Sequence, residues 1–295
     1  MSAHKSGFVN IIGNPNVGKS TLMNALVGER LSIITSKAQT TRHRILGIVN
    51  GEDFQMVISD TPGIIKPAYA LQESMMDFVR TALDDADVLL YMVEIGEKGL
   101  KEERFLEKIR HSKAPVLLLI NKIDTTDQQQ LETQVAYWKD LLPKAEIFPI
   151  SALERFNIQP VFDRILELLP EGPAFFDKDQ LTDRPERFFV SEVIREKILK
   201  HYKKEIPYSV EIEVERFEES EELIRIGAVI MVERDSQKGI IIGHKGSALK
   251  RVGSEARKDL EVFFDKKVFL ELFVKVNKNW RSDTRQLRRF GYNSK

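Results

Sequence analysis

Five short, nearly continuous apolar runs constrain this chain more than any other feature: "FVNII" (8–12), "MVIS" (56–59), "VLLYMV" (88–93), "VLLLI" (116–120) and "IFPI" (147–150). Hydrophobicity that is continuous rather than alternating over four to six residues is the pattern of a strand covered on both faces. Longer stretches with helical spacing separate the runs, among them "STLMNALVG" (20–28), "SMMDFVRTALDDA" (74–86) and "QPVFDRILELL" (159–169). Strand and helix in alternation predict an α/β domain with a mostly parallel sheet over residues 1–170.

The grammar changes at "PEGPAFFDKDQLTDRPE" (170–186), which is dense in proline, glycine and charge and shows no period. Such composition predicts a linker, set at residues 171–186. Beyond it come a helix ("RPERFFVSEVIREKILKHY"), a strand alternating apolar and acidic residues ("YSVEIEVERF") and a second strand ("ELIRIGAVIMVER"). A glycine-bounded turn, a helix ("SALKRVGSEARKDLEVFF"), a strand ("KKVFLELFVKV") and a charged tail complete it. Residues 187–295 therefore read as a smaller α+β domain, one sheet with helices on one side.

Two domains suit a length of 295 residues. Lys plus Arg and Asp plus Glu number 45 each, so net charge identifies no partner and a nucleic-acid surface must come from local clustering. The absence of cysteine removes disulfides and thiolate metal sites, and five scattered histidines suggest no zinc. The first strand begins within a few residues of Met1, leaving no room for a signal peptide, and no apolar run approaches the roughly 20 residues a spanning helix needs. A soluble, cytoplasmic and monomeric protein is expected.

The chemistry sits where the apolar runs end. Gly13-Asn14-Pro15-Asn16-Val17-Gly18-Lys19-Ser20-Thr21 follows the first run and precedes a helix, which is the setting of a phosphate-binding loop. There the glycines let backbone N–H groups close on phosphates, Lys19 bridges the β- and γ-phosphates, and Ser20 offers a magnesium ligand. Asp60 of "DTPG" (60–63) is placed to hold magnesium through water, and Gly63 to offer its N–H to the γ-phosphate. In "NKID" (121–124), with Asn121 and Lys122, the Asp124 carboxylate matches the N1–H and exocyclic amine of guanine and is repelled by adenine. Ser151 and Ala152 of "SAL" follow the last run, and the Ala152 N–H is expected to reach the guanine carbonyl. Taken singly, "DTPG" also reads as a turn and "NKID" as a helix cap. Jointly, four motifs at four strand ends converge on one crevice.

These motifs resemble, in order, those of the translation-factor-related class of GTPases, which implies GTP and GDP as ligands with Mg2+ as cofactor. The class carries a threonine that closes over magnesium and the γ-phosphate. In "AQTTRHRILG" Thr41 resembles it, with Thr40 the second candidate and a strand approach the plain alternative. Lys19, Thr41 and Gly63 are thus the expected catalytic residues, and Ser20, Thr41 and Asp60 the magnesium ligands. Where Ras-type GTPases place a water-orienting glutamine, this chain has Ile64, so intrinsic hydrolysis is expected to be slow. In related GTPases the asparagine of the loop holds potassium, which makes Asn16 a candidate K+ ligand; the alternative is a residue tolerating a left-handed turn.

In the second domain "IIIGHKGSALKRV" resembles the KH signature, in which Gly243 and Gly246 let the backbone clamp about four nucleotides of RNA. His244, Lys245, Lys250 and Arg251 are the accompanying RNA-contact candidates. The alternative is a helix corner whose glycines only cap helices. The order α-β-β-α-α-β is that of the type II KH fold. The tail ("VKVNKNWRSDTRQLRRFGY") interleaves cations with Trp280, Phe290 and Tyr292, which suits stacking on single-stranded RNA, while Leu287 and Phe290 at helical spacing suit docking of a last helix.

A GTPase domain followed by a KH domain resembles the Era family, the bacterial GTPases of small-subunit ribosome assembly. "KAQTTRHRI", "LTDRPERF", "IREK" and "EARKDLE" extend the likeness over nearly the whole chain. The resemblance implies binding to the 3′ end of 16S ribosomal RNA and to the 30S subunit, control of that surface by nucleotide state, and peripheral contact with the inner membrane. No DNA role is implied. Two other readings share the motifs: a GTPase of tRNA modification, whose modification domain is not found here, and a constitutive RNA-binding protein with a structural nucleotide.

Overall fold

The structure, a computed structural model, describes residues 4–292. The described chain forms two compact units that part at Asp183 and Arg184, except that Tyr69–Leu71, at the start of the second helix, group with the second unit. The first contains β1 (Lys5–Gly13), α1 (Lys19–Val27), β2 (Ile45–Asn50), β3 (Phe54–Asp60), α2 (Ala70–Asp84), β4 (Val88–Glu94), α3 (Glu103–Arg110), β5 (Val116–Asn121), α4 (Gln128–Leu141), β6 (Glu146–Pro149) and α5 (Ile158–Leu168). The strands lie in the order β2-β3-β1-β4-β5-β6, and all neighbours are parallel except β2 and β3. Residues 88–93 and 117–120 are fully buried, as unbroken apolar runs require of inner strands. The strand order reverses at β1, between β3 and β4, so the loop leaving β1 opens where ligands of such sheets bind.

Two helices fall outside the sequence-based expectations. In α3 Phe105, Leu106 and Ile109 are buried on one face, a helical spacing confined to a segment of eight residues. In α4 the mostly polar "QQQLETQVAYWKDL" buries Gln134 and Trp138, and the Asp127 side chain caps the helix by accepting from the Gln130 N–H at 2.8 Å.

Residues 171–183, expected as a linker, are strapped to the first unit. The Ile48 N–H donates to the Leu181 carbonyl (2.8 Å), and the Thr182 hydroxyl to the Leu46 carbonyl (2.6 Å), along the outer edge of β2. Gln55, fully buried, accepts from the N–H groups of Phe175 (2.7 Å) and Phe176 (2.9 Å) and donates to the Phe176 carbonyl and to Asn50 Oδ1, each at 2.8 Å. Because its polar backbone groups are met one by one by side chains and a strand edge, the segment is ordered without a period of its own.

The second unit runs α6 (Glu186–His201), β7 (Glu211–Glu219), β8 (Leu223–Val232), α7 (Asp235–Ile242), α8 (Ser247–Phe264), β9 (Lys267–Val276) and α9 (Thr284–Arg289). β8 pairs antiparallel with β7 and parallel with β9. Ile194, Ile198, Ile226, Ile230, Val252 and Leu260 form part of the core between sheet and helices. Helix α6 also buries ions, and they are paired: Arg195 Nε donates to Glu192 at 2.7 Å, and Lys197 bridges Glu196 and Asp259.

Replacing Gln55 with Ala leaves two N–H groups and a carbonyl of the strap without their buried partner. It is expected to destabilise the first unit by about 2–3 kcal/mol, read as a lower urea midpoint; an unchanged midpoint would mean that the strap does not contribute to folding.

Candidate functional site

One cavity opens at the carboxyl ends of β1, β3, β5 and β6. Pro15, Asn16, Gly18, Lys19, Ser20, Thr21, Thr41, Gly63, Asn121, Lys122, Asp124 and Ser151 all line it. Gly18 has φ +105°, and a Cβ there would lie 2.3 Å from Asn121 Nδ2, so only glycine lets the loop pass that side chain. Gly63 runs close under Pro15, where a Cβ would meet its backbone at 2.7 Å.

Lys19 is buried and donates to the carbonyls of Asn14 (2.8 Å) and Gly13 (3.2 Å). Burial lowers its ammonium from 10.5 to about 8, against the opposing charges of Asp60 and Glu97. Ser20 Oγ donates to Asp60 Oδ2 at 2.6 Å, and Thr41 Oγ1 lies 3.0 Å from Ser20 Oγ and 3.1 Å from the same carboxylate oxygen. Of the two candidate threonines the structure therefore brings Thr41 to this cluster; Thr40 donates instead to the Lys37 carbonyl at 2.6 Å. Burial raises the Asp60 carboxyl, with Lys19 opposing, and its Oδ1 is buried without a hydrogen-bond partner. Three hard oxygen donors and an orphaned carboxylate oxygen beside a phosphate-binding loop fit Mg2+.

Asn121 joins three loops. Its Nδ2 donates to the Val17 carbonyl (2.7 Å) and its Oδ1 accepts from the Ala152 N–H (2.9 Å). Ala152, whose N–H was expected to reach guanine, donates it to Asn121 in this structure, and its neighbours Ser151 and Leu153 line the cavity. Asp124 is exposed on the cavity wall, and none of the described residues donates to its carboxylate. Two side chains of the phosphate-loop stretch turn away from the cavity. The Asn14 side chain bonds to Glu97 and to the Gly99 carbonyl rather than lining the cavity, and Val17 is a core residue that enters the site through its backbone. Ile33, Ile34, Thr35 and Gln39 also line the cavity. Nothing in their residue types marked them, because the loop that carries them has no period and no motif before Thr41.

Asn16 has φ +68°, the left-handed conformation, and its Nδ2 donates to the Ser36 carbonyl at 2.9 Å. Ile64, at the position where Ras-type GTPases have glutamine, is fully buried.

In the second unit α7 ends at Gly243, with φ +72°, where a Cβ would come within 2.6 Å of the Ala248 Cβ. His244 and Lys245 stand exposed before Gly246, which caps α8. A groove beside them is lined by Gly246, Leu249, Lys250, Gly253, Arg257 and Leu272, among others. Arg251 is not among the lining residues; it pairs with Glu255 at 3.1 Å. In the tail, docking prevails. Trp280 is fully buried and donates to the Ser209 carbonyl (3.0 Å), Leu287 is buried, and the buried Tyr292 hydroxyl donates to Glu211 (2.6 Å). Arg281 and Arg289 pair with Glu233 and Glu213.

A phosphate loop, a threonine and an aspartate sharing one oxygen cluster, and a second aspartate exposed on the cavity wall fit a guanine-nucleotide hydrolase, joined here to a second unit with a glycine-bounded loop. Comparison with known proteins agrees: residues 8–122 match the family described as 50S ribosome-binding GTPase, and residues 205–281 the KH domain. The chain is 45% identical over 294 residues to GTPase Era of Staphylococcus haemolyticus (strain JCSC1435), covering 99% of this chain and 98% of that one. Two solved structures match with a TM-score of 0.93 and 38% identity over 98% of this chain and 99% of theirs. One is Era in complex with MgGDPNP and nucleotides 1506–1542 of 16S ribosomal RNA; the other is a variant of Aquifex aeolicus Era bound to GDP and AlF4−. The chain belongs to the Era family of GTPases.

The Lys19 value fixes a pH dependence. Phosphate contact requires the ammonium, so as pH rises through about 8 the free protein loses a proton that the complex keeps. GDP affinity is expected to hold from pH 6.5 to 7.5 and to fall roughly tenfold between pH 7 and 9; a flat titration of a fluorescent nucleotide would remove Lys19 from that role. Asp124→Asn is expected to shift preference from guanosine toward xanthosine nucleotides by on the order of a thousandfold, measured by competition. Unchanged selectivity would exclude Asp124 as the base reader.

Proposed function

We propose that this GTPase is a nucleotide-controlled RNA-binding factor that engages the 3′ region of 16S ribosomal RNA during assembly of the 30S subunit. The observation that carries the reading is joint: the chain holds both the nucleotide cavity and the glycine-clamp groove, and it matches over 98% of its length an Era structure that contains a GTP analogue and that RNA together. GTP and GDP would lie along residues 13–21, with the base at Asp124. Magnesium would be held by Ser20, Thr41 and Asp60, supplying charge neutralisation for the phosphates.

Lys19 and the Gly63 N–H would stabilise charge developing on the γ-phosphate, while the buried Ile64 leaves water orientation to other groups. Asn16 would offer its side-chain oxygen to K+, since its amide nitrogen is already bonded to Ser36. RNA would be clamped at Gly243–Gly246, with His244, Lys245 and Lys250 beside it. Among the described residues no helix is long and apolar enough to cross a membrane. Contact with the inner membrane, which the resemblance to Era implies, would be peripheral and on the cytoplasmic face.

The test is the affinity for a short 16S 3′-end oligonucleotide at fixed salt, with GDP and then with a non-hydrolysable GTP analogue. A difference between the two states establishes the switch; equal affinities favour a constitutive RNA-binding protein with a structural nucleotide. Changing His244 and Lys245 together to Asp is expected to lower RNA affinity by about a hundredfold or more with intrinsic GTP hydrolysis intact. Retained affinity would show that RNA is held elsewhere.

A further inference from the structure

The end of β4 and the loop leaving it belong to none of the four motifs, yet they hold two of them. Glu94 pairs with Lys122 of the base-reading loop. Glu97 Oε1 accepts from Asn14 Nδ2 at 2.6 Å, and its Oε2 accepts from the Glu94 N–H at 3.0 Å. The second Asn14 Nδ2 hydrogen goes to the Gly99 carbonyl (2.9 Å), and Asn14 Oδ1 accepts from the Lys101 N–H (3.1 Å). All three bonds of that amide are thus to residues 97–101. On its backbone side the Asn14 carbonyl accepts from Lys19 Nζ at 2.8 Å.

The β4 loop is in turn anchored to α4, where the Tyr137 hydroxyl donates to the Lys98 carbonyl (2.6 Å) and Gln134 Oε1 accepts from the Gly96 N–H (3.3 Å). Glu97 is only partly exposed, and burial raises its carboxyl while the Asn14 bond opposes the rise. Together with Asp60 it supplies the negative charge that offsets the burial of Lys19.

We propose that Glu97 is a positioning residue for GTP turnover: through Asn14 it fixes the loop carbonyl from which Lys19 is aimed at the β- and γ-phosphates. The proposal rests on the assignment of Lys19 to those phosphates. It makes the phosphate loop depend on a bond that none of the nucleotide motifs contains, and it gives the Asn14 side chain, which lies off the cavity, a role in the reaction.

Single-turnover GTP hydrolysis and thermal unfolding decide it, measured on the full chain with the wild type, Glu97→Ala, Glu97→Gln, Asn14→Ala and the double Ala variant. Glu97→Ala and Asn14→Ala are each expected to lower the hydrolysis rate about tenfold. The double variant should fall no further, because both substitutions remove the same contact. Glu97→Gln keeps the acceptor for Asn14 and should recover most of the rate. Wild-type hydrolysis in either Ala variant, additive losses, or a Gln variant as slow as the Ala variant overturns the proposal. If Glu97→Ala fails to fold, Asn14→Ala and Glu97→Gln decide on the same criteria. Lys19→Ala separates the two levels: normal turnover there would remove the phosphate assignment itself, whereas loss there beside normal Glu97→Ala turnover removes only the positioning role.

Discussion

The nucleotide cavity depends on one buried amide. Asn121 donates to the loop after β1 and accepts from the loop after β6, while its own backbone ends β5. Remove that amide and a carbonyl and an N–H lose their partner in a place from which water is excluded. The geometry around it is equally unforgiving: Gly18 must lack a Cβ because the Asn121 amide occupies that space. Phosphate and base ends of the cavity are thus set relative to each other by a side chain that reads as part of a base-recognition motif.

The sheet was legible because its inner strands are covered on both faces, and continuous runs such as "VLLYMV" have few other solutions in a folded chain. The convergence of the motifs was legible for the same reason, since each begins where a run ends. What was hidden is side-chain direction. Asn14 and Val17 sit inside a phosphate-loop pattern that specifies backbone, and nothing in spacing says that the Asn14 amide turns to Gly99. Ala152 shows the same limit: the sequence places an N–H near the end of β6 but cannot show that Asn121 accepts from it. Arg251 adjoins Lys250, yet one step along α8 rotates a side chain by about 100°, enough to pair it with Glu255 instead of lining the groove.

The tail shows composition giving two answers and packing selecting one. Aromatics among cations suit a stacking surface, but Trp280 and Tyr292 are buried with their polar atoms bonded to Ser209 and Glu211. A buried indole or phenol needs such a partner, and here the first strand of the sheet and the residues before it provide them. Acidic residues that alternate with apolar ones along β7 serve as counter-charges for Arg289 and Lys275. Charge alternation in that strand is therefore matched to the chain's own C-terminal segment.

The strap of residues 171–183 has a further consequence at the border of the sheet. β2 is an outermost strand, and a bare row of N–H and C=O groups there would template pairing with another chain. Leu181 and Thr182 engage the Ile48 N–H and the Leu46 carbonyl, so that border is partly closed from within. The opposite border is blunted differently, by a β6 of four residues that ends at a proline. A fragment cut after Leu169 would keep every nucleotide motif and still uncover the β2 edge, making self-association rather than loss of ligand binding the first defect of so short a piece.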